Sequence, residues 1–289
     1  MRKQEVCILL LYYCGYSFIR NLLVRLRKTP ETRIIAFHEV SKASMRKFEA
    51  NLRFLAEKTN VLSLDDFFLG KLAPKRTNVI ITFDDGYQNW VANALPVLKE
   101  LRLPATFFVT SGFIGLTKDE AAEFNKAKLH RPIGDDFEVE CLSKEGLNRI
   151  IADGFAVGGH TKDHSDLGYC QDETALRREI IGDKNLLEEL TGVSIDYFAY
   201  PGGVYDNSCV DVPEVIRQSG YRGAVTTIPG INTIKTNRFL LRRELIRASM
   251  PKQVFRARIY GNYDLVIAIK SLFRMLRDLI MRKARRTRS

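Results

Sequence analysis

Hydrophobic and polar positions follow two different periods along the middle of the chain. Short apolar runs rich in β-branched and aromatic residues predict seven buried strands: Arg33–His38, Asn78–Thr82, Ala105–Thr110, Gly154–Gly158, Tyr197–Tyr200, Tyr221–Thr226 and Phe239–Leu245. Apolar residues three and four positions apart predict helices between them, over Met45–Lys58, Val91–Leu101, Asp172–Leu190 and Val212–Ser219. Strands that alternate with helices indicate parallel βαβ units. We therefore predict an α/β fold, a distorted, incomplete (β/α)7 barrel with amphipathic helices at its N- and C-terminal ends.

Several polar side chains lie at or just after the ends of the predicted strands. His38 ends the first strand, Asp84 and Asp85 follow the second, and His160 follows the fourth by two residues. Pro201-Gly202 comes directly after the fifth strand. In α/β barrels the active site lies at the carboxyl ends of the strands. We therefore expect these residues to meet on one face of the barrel.

The residue types at these positions favour a metal site. Two neutral imidazoles and one carboxylate form a three-ligand set for a catalytic zinc, with a fourth position left for water. His160 and His164 are four residues apart, so a helix or a helical turn would bring both rings to one side. One carboxylate of the Asp84-Asp85 pair would complete the set, and the other could act as a base. The alternative for Asp84-Asp85-Gly86 is a turn without chemistry, since Asp and Gly both favour turns.

Two motifs together resemble a known family. Thr82–Gly86 (TFDDG) and His160–His164 (HTKDH) are similar to the T-F-D-D-G and H-[ST]-x-x-H motifs of polysaccharide deacetylases with a NodB-homology domain, carbohydrate esterase family 4. The resemblance covers roughly residues 33–247. It implies that Asp84 is the general base. It also implies a divalent metal ion, with zinc as the first expectation, held by three ligands: Asp85, His160 and His164.

The third motif departs from the commonest form in that family. Phe198–Gly203 (FAYPGG) resembles the version found in exopolysaccharide deacetylases, with Ala199 where the usual motif has an arginine. Another cation must then fix and balance Asp84. We predict that Arg243 on the last strand takes this role, and an ordinary salt bridge is the alternative for Arg243. We also expect the backbone N–H of Gly202 to face the oxyanion that develops during hydrolysis.

The acid histidine is also expected in an unusual place. The family's usual C-terminal L-x-H motif is missing, because no His follows Arg243. In the exopolysaccharide branch the acid histidine ends the first strand, and Phe37–Val40 (FHEV) is similar to that arrangement. The resemblance therefore implies that His38 is the general acid. A buried structural histidine is the alternative.

A polar segment, Gly112–Glu140, separates two of the predicted strands. We expect it to be an irregular insertion, either a substrate loop above the site or a plain surface excursion. His130 lies within it and has no partner in the sequence pattern, so we interpret it as a surface residue.

The formal net charge of +11 is concentrated at the two ends of the chain. Residues 1–28 contain six basic and one acidic side chains, hence +5, and residues 270–289 contain eight and one, hence +7. The remaining residues therefore carry −1. A catalytic body that binds nucleic acid would itself be basic, so we expect no nucleic-acid partner. Basic residues beside apolar runs favour an anionic membrane surface, and packing of both ends on the barrel is the alternative.

The apolar run 6–19 and the amphipathic segment Asp264–Met281 predict helices at the two ends. The run has 14 residues, fewer than the ~20 that span a bilayer, and no small-x-small cleavage site follows it. More Lys and Arg follow the run than precede it, which would keep the body in the cytoplasm. The five Cys form no Cys-x-x-Cys pair, which favours reduced thiols. We therefore expect domains 1–30, 31–262 and 263–289 in a cytoplasmic protein, or a peripheral one at the cytoplasmic face of the membrane.

These features predict an enzyme, a metal-dependent N-deacetylase that hydrolyses carbon–nitrogen bonds other than peptide bonds. Its expected substrate is the N-acetylhexosamine of a surface polysaccharide or of its lipid-linked precursor. The expected partners are this glycan and an anionic membrane surface. Two alternatives stay open: hydrolysis of another C–N or ester bond on the same fold, and a non-catalytic glycan-binding protein.

Overall fold

A computed structural model describes residues 3–26, 30–130, 139–170, 172–203, 210–270 and 277. Within them the strands are β1 Thr32–Phe37, β2 Asn60–Val61, β3 Asn78–Phe83, β4 Ala105–Val109, β5 Ala156–Gly159, β6 Tyr197–Ala199, β7 Gly223–Val225 and β8 Arg243–Leu245. The α-helices are α1 Lys3–Tyr13, α2 Tyr16–Leu26, α3 Met45–Lys58, α4 Leu64–Phe68, α5 Leu95–Glu100, α6 Lys118–Phe124, α7 Lys144–Ala152, α8 Glu173–Thr191, α9 Val212–Gln218 and α10 Lys252–Ile259. A further helical stretch covers residues 262–270.

The strands form one parallel sheet in the order β7-β6-β5-β4-β3-β1-β8, and β2 pairs with the start of β3. A bridge between Val225 and Leu241 brings the two edges together, so the sheet nearly closes into a barrel. The predicted distorted (β/α)7 barrel is therefore confirmed, with all seven predicted strands present. β2 was not predicted, because two residues are too few to show an alternating pattern.

The inside of the barrel is a compact apolar cluster. It joins side chains from five strands, including strands such as β1 and β7 that are not neighbours in the sheet, as a rolled sheet requires. These side chains are Ile34, Ile80, Phe108, Tyr197, Ala199 and Val225. Leu64 and Phe67 of α4 belong to the same cluster. Phe68 stacks on Tyr197, the first residue of β6, so α4 closes the barrel at the amino ends of the strands. The opposite end is therefore left for the site.

A second, larger core lies between the outer side of the sheet and the helices. Phe37 and Phe83 from adjacent strands stack against each other, and Phe83 also stacks on Phe107 of β4. Phe48 of α3 meets this aromatic row edge-on. The row makes the central strands rigid just below the residues that carry the candidate chemistry.

The predicted helix over Val91–Leu101 is present, but its first part is a π-helix, Trp90–Ala94, which continues into α5. Pro96 lies in the first turn of α5 and has no backbone N–H to bond to the preceding turn. The wider turn places the indole of Trp90 so that Nε1 donates to the carbonyl oxygen of His38 at 2.6 Å. The helix thus holds the end of β1.

The segment Gly112–Glu140 was expected to be irregular, and this expectation is wrong for its first part. Thr117 and Glu120 form a reciprocal capping box at the start of α6, which stabilises a helix N-terminus. α6 continues into a π-helix, Asn125–Leu129, and Phe124 stacks on Phe113. Residues 131–138 of the segment lie outside the described residues.

The N-terminal apolar run folds as two helices, α1 and α2, separated at Gly15, which has a φ of 83°. α1 contacts α10 on the barrel. No helix in the described part of the chain combines the length and apolarity needed to cross a bilayer. Much of the C-terminal stripe and the basic tail after it lie outside the described residues: Leu272, Leu276, Leu279 and 282–286. The division into 1–30, 31–262 and 263–289 stays a prediction.

We expect Phe67→Ala to lower the free energy of unfolding by about 3–5 kcal/mol, because it opens a cavity at the closed end of the barrel. Phe67 is 2% exposed. Leu69→Ala, directly after the same helix and 64% exposed, is the matched control and should change stability by less than about 0.5 kcal/mol. Chemical denaturation measures both, and equal losses would show that α4 does not seal the barrel.

Candidate active site

Hydrogen bonds join the carboxyl ends of four adjacent strands. The N–H of Asp84 donates to the carbonyl of Phe37 at 2.9 Å, which ties β3 to β1. The N–H of Thr110 donates to the carbonyl of Asp85 at 3.1 Å, and its hydroxyl donates to the carbonyl of His160 at 3.2 Å. The residues after β3 and β5 are therefore held together through the end of β4.

Asp85, His160 and His164 form a compact three-donor cluster. The Nε2 atoms of both histidines lie 3.5 Å from Oδ1 of Asp85, and the three donor atoms lie within 4.8 Å of one another. Ligands at the zinc bond length of about 2.0–2.1 Å in a tetrahedral site are separated by about 3.4 Å. The cluster thus has the spacing and the chemistry of a divalent-metal site.

The Nδ1 atoms fix the orientation of both histidine rings. Nδ1 of His160 lies 2.7 Å from the carbonyl oxygen of Ala199, and Nδ1 of His164 lies 3.2 Å from that of Lys128. A carbonyl can only accept, so each Nδ1 donates and each Nε2 keeps its lone pair for the cluster. Metal-binding histidines are usually oriented by such outer hydrogen bonds. Ala199 therefore contributes through its backbone at the position where the family's usual motif has an arginine.

The two histidines do not lie on a helix or a helical turn, so that expectation is wrong. The chain between them is a loop in which Thr161 and His164 have φ values of 63° and 54°. Asp85 also lies in the left-handed region, with a φ of 90°. Such backbone costs about 1–3 kcal/mol per residue and persists where the surroundings enforce it. The rings meet because the loop turns sharply, and the i, i+4 spacing alone does not bring them together.

Asp84 and Arg243 form a buried bidentate ion pair inside the barrel. Nη1 and Nη2 of Arg243 donate to Oδ1 and Oδ2 of Asp84, each at 2.7 Å. Two further donors of the guanidinium are occupied: Nε donates to the carbonyl of Thr226 at 2.9 Å and Nη1 to the hydroxyl of Thr82 at 3.1 Å. The guanidinium also lies over the ring of Phe108. Arg243 therefore contacts Asp84 directly, and its role in catalysis stays a prediction.

The environment of Asp84 favours its ionised form. Burial opposes the charge, but the guanidinium of Arg243, which binds both carboxylate oxygens, outweighs it. The pKa of Asp84 therefore lies below its ordinary value. His38 directly follows Phe37, whose carbonyl accepts from the N–H of Asp84, so the end of β1 lies beside Asp84.

Gly202 lies in the turn after β6. Gly202 follows the end of β6 with a φ of 63°, and its carbonyl accepts a hydrogen bond from the hydroxyl of Thr227 at 2.8 Å. Next to it, any Cβ at Gly203 would collide with the side chain of Thr227, so the turn requires glycine. The role of the Gly202 N–H stays a prediction.

His130 is exposed, as expected, and its Nδ1 lies 3.0 Å from the carbonyl of Lys126.

Sequence reasoning missed Asp183, a fully buried carboxylate on α8. Its Oδ1 accepts from the N–H of Ser111 at 3.0 Å, and its Oδ2 from the N–H of His160 at 2.9 Å. Burial raises the pKa of Asp183 to about 7, against the opposing effect of these hydrogen bonds. The available signal was a charge on the apolar side of α8, between Ile180 and Leu187. Asp183 thus positions the start of the histidine loop.

The same helix holds the rest of that loop. The carbonyl of Glu179 accepts from the N–H of Lys162 at 3.1 Å, and its side chain accepts from the N–H of Asp163 at 3.0 Å. α8 therefore fixes three successive parts of the segment that carries both histidines.

We expect His164→Ala to weaken zinc binding by more than about 100-fold, because losing even an outer hydrogen-bond partner of a ligand costs about 10–100-fold. Competition with a chromophoric chelator measures the affinity, and far-UV circular dichroism checks the fold. His130→Ala removes an imidazole outside the cluster and should leave the affinity unchanged. Equal affinities for wild type and His164→Ala would contradict the assignment of the ligands.

Comparison with known proteins agrees with this geometry. The model of the polysaccharide deacetylase family matches residues 71–224, more than half of the chain. The chain is 24% identical over 245 residues to the YxkH protein of Bacillus subtilis strain 168, covering 82% of this chain and 78% of that protein. It is 29% identical over 121 residues to a poly-beta-1,6-N-acetyl-D-glucosamine N-deacetylase of Staphylococcus aureus strain MSSA476, covering 37% of this chain and 41% of that protein.

A solved structure extends the likeness to the architecture. IcaB from Ammonifex degensii superimposes with a TM-score of 0.60 at 22% identity, covering 81% of this chain and 98% of that chain. At this identity the likeness shows a common fold. The family match spans the Asp84-Asp85 and His160–His164 motifs and shows membership of the family. The chain belongs to the polysaccharide deacetylase family.

Proposed function

We propose that this chain is a metal-dependent hydrolase that removes N-acetyl groups from N-acetylhexosamine units of a surface polysaccharide or of its lipid-linked precursor. One observation carries the proposal: a carboxylate kept ionised by a bidentate arginine, Asp84, is adjacent in the chain to a metal-type donor, Asp85. A base beside a metal cluster is the arrangement that amide hydrolysis by water requires. Membership of the polysaccharide deacetylase family supports the same reaction.

Asp85, His160 and His164 would hold the divalent ion, and zinc suits a set of two imidazoles and one carboxylate. Such an ion supplies Lewis-acid polarisation of the acetyl carbonyl and makes water a better nucleophile at neutral pH. The residues of the chain supply the proton transfers and the orientation of the substrate.

Asp84 accepts the proton of the attacking water. Arg243 binds both carboxylate oxygens and keeps them ionised, and each oxygen retains a second lone pair that can take up the proton. Because the guanidinium is locked by Thr82 and Thr226, the carboxylate cannot rotate away. The ion pair therefore sets both the charge and the direction of the base.

His38 in its protonated form donates to the departing nitrogen as the carbon–nitrogen bond breaks. Trp90 anchors its backbone, and the hydrogen bond from the N–H of Asp84 to Phe37 keeps this end of β1 beside the base. The N–H of Gly202 is the proposed donor to the oxyanion, since a backbone donor there needs no side chain. The products are acetate and a free amino sugar. The proton of the water goes to Asp84, the amine takes its proton from His38, and exchange with solvent restores both groups.

The family and the named relative support the proposed glycan class. The Staphylococcus aureus protein is a poly-beta-1,6-N-acetyl-D-glucosamine N-deacetylase, which supports an N-acetylglucosamine polymer as a first substrate to examine. The lipid-linked precursor is suggested by the basic, apolar ends of the chain.

The direct test is release of acetate from oligomers of β-1,6-linked N-acetylglucosamine and from acetylated chitooligosaccharides. We expect zinc-loaded wild type to deacetylate at least one of them and Asp84→Asn to bind zinc but lose most turnover. His38→Ala should lower kcat by about 10²–10⁴-fold, the usual contribution of a positioned acid. Wild type that binds zinc yet releases no acetate from either would favour a different bond or a glycan-binding protein, and an active His38→Ala would remove His38 from the mechanism.

We expect Arg243→Met to shift the acid limb of the kcat/KM profile to higher pH. Without the guanidinium, burial raises the pKa of Asp84, so the base becomes protonated at a higher pH and activity is lost there. Breaking this buried pair should also lower stability by about 3–5 kcal/mol.

Arg33→Met is the matched control for that experiment. Arg33 is equally buried and pairs with Asp264 and Glu244, away from Asp84. It should lose stability without moving the pH profile. A shift of the same size in both variants, or in neither, would show that Arg243 does not control the ionisation of Asp84.

A further inference from the structure

α1 and α2 each carry an uncharged side that faces away from the barrel. On α1 it consists of positions spaced by one helical turn, Val6, Leu10 and Tyr13, with Cys7 beside them. On α2 it consists of Phe18, Ile19 and Leu22. The six large apolar side chains are between 39% and 74% exposed. We call these residues together the outward face.

The opposite side of the same helices is fixed to the barrel. Ile8 is fully buried in a cluster with Ala257 of α10 and Val266. Two charged residues, Glu5 of α1 and Arg20 of α2, are held against the barrel: Glu5 accepts from Arg247 at 2.8 Å, and Arg20 donates to Glu31 at 3.0 Å. These contacts with the barrel therefore hold the outward face in a fixed position.

Exposed apolar residues in such a group have a cost in water. Monomeric proteins rarely expose contiguous apolar patches of this kind unless the patch contacts a partner or a membrane. Elsewhere in the described chain, exposed large apolar residues such as Leu69 and Ile234 belong to separate elements far apart in the sequence. The outward face, in contrast, continues along two successive helices.

The length of the helices limits how they can meet a bilayer. α1 and α2 have 11 residues each, so each is about 16 Å long at 1.5 Å per residue, about half the ~30 Å of the hydrocarbon core. α2 has an apolar side with basic residues next to it in the sequence, the pattern of a helix that lies in the plane of the interface. The geometry fits a helix pair that rests on the surface.

Charge distinguishes a bilayer from a second copy of the chain. Residues 1–28 carry +5, and Arg25, Arg27 and Lys28 come at and after the end of α2. Two copies meeting through this face would bring like charges together, whereas an anionic surface attracts them.

We propose that the outward face of α1 and α2 docks on the surface of an anionic lipid bilayer, with both helices lying in the interface plane. Docking would place the barrel against the membrane without a spanning segment. It does not depend on the proposed reaction, because none of the outward residues belongs to the site. That the bilayer is reached from the cytoplasm stays a prediction.

The first test is co-sedimentation of the full chain with vesicles of phosphatidylcholine alone and of phosphatidylcholine with phosphatidylglycerol. We expect binding to the anionic vesicles that weakens at high salt. The double variant Leu10→Glu/Phe18→Glu should bind these vesicles at least about tenfold more weakly than wild type. Leu69→Glu/Ile234→Glu, at positions 64% and 63% exposed, is the matched control and should bind like wild type.

A second test does not use variants. Cys7 and Cys14 are exposed and lie on α1 or just after it, whereas Cys170 is part-exposed beside α8. A charged, water-soluble maleimide should label Cys7 and Cys14 more slowly once anionic vesicles are added, while labelling of Cys170 is unchanged. Peptide mass spectrometry gives the rate at each site.

Several outcomes would overturn the proposal. Negligible sedimentation of wild type with anionic vesicles at low salt would do so, as would equal binding by the outward-face variant. A dimer seen by analytical ultracentrifugation and lost in Leu10→Glu/Phe18→Glu, without vesicle binding by wild type, would assign the face to a second copy. Deacetylase activity in solution is measured separately, so its loss or retention bears only on the proposed reaction.

Discussion

The buried ion pair between Asp84 and Arg243 is the constraint on which the site depends. Asp84 follows β3 and Arg243 begins β8, and β1 lies between these two strands. Taking both charges out of water is expensive and is offset only by close, fully hydrogen-bonded geometry. The two 2.7 Å contacts provide it. They also require that β8 be parallel to β1 and in the observed register, with Arg243 opposite Ile34. The ionised state of the base and the placement of β8 that nearly closes the barrel thus depend on the same ion pair.

The metal-type cluster depends on a different element, α8. Asp183 and Glu179 of this helix bind backbone N–H groups at the start and middle of the histidine loop. Without such support, a loop with two left-handed non-glycine residues would relax toward ordinary backbone. The cost of the strained loop is met by hydrogen bonds from a helix that contributes nothing to the chemistry itself. The cluster is therefore rigid because its surroundings are, which is what a pre-organised site needs.

The strands and the three donors could be predicted from the sequence because each depends on a local signal. Buried parallel strands appear as continuous apolar runs, and Asp85, His160 and His164 stand in motifs at the ends of such runs. The loop between the histidines could not be predicted, since left-handed backbone at Thr161 and His164 is imposed by contacts distant in sequence. The same holds for Asp183, whose partner Ser111 is 72 residues away. α6 was not predicted, because it has only seven residues and its main sequence signal is the capping box of Thr117 and Glu120 in a segment that is polar overall.

Trp90 has a consequence for how this protein can be observed. It is the only tryptophan in the sequence, it is fully buried, and its indole N–H is bonded to the carbonyl of His38. Indole emission responds to that hydrogen bond and to the polarity around the ring. The tryptophan fluorescence of the chain, excited selectively above the absorption of tyrosine, therefore comes from one point next to the candidate acid in the structure. A ligand that moves the end of β1 would change the emission of the unlabelled protein, so the protein contains its own optical probe of the site.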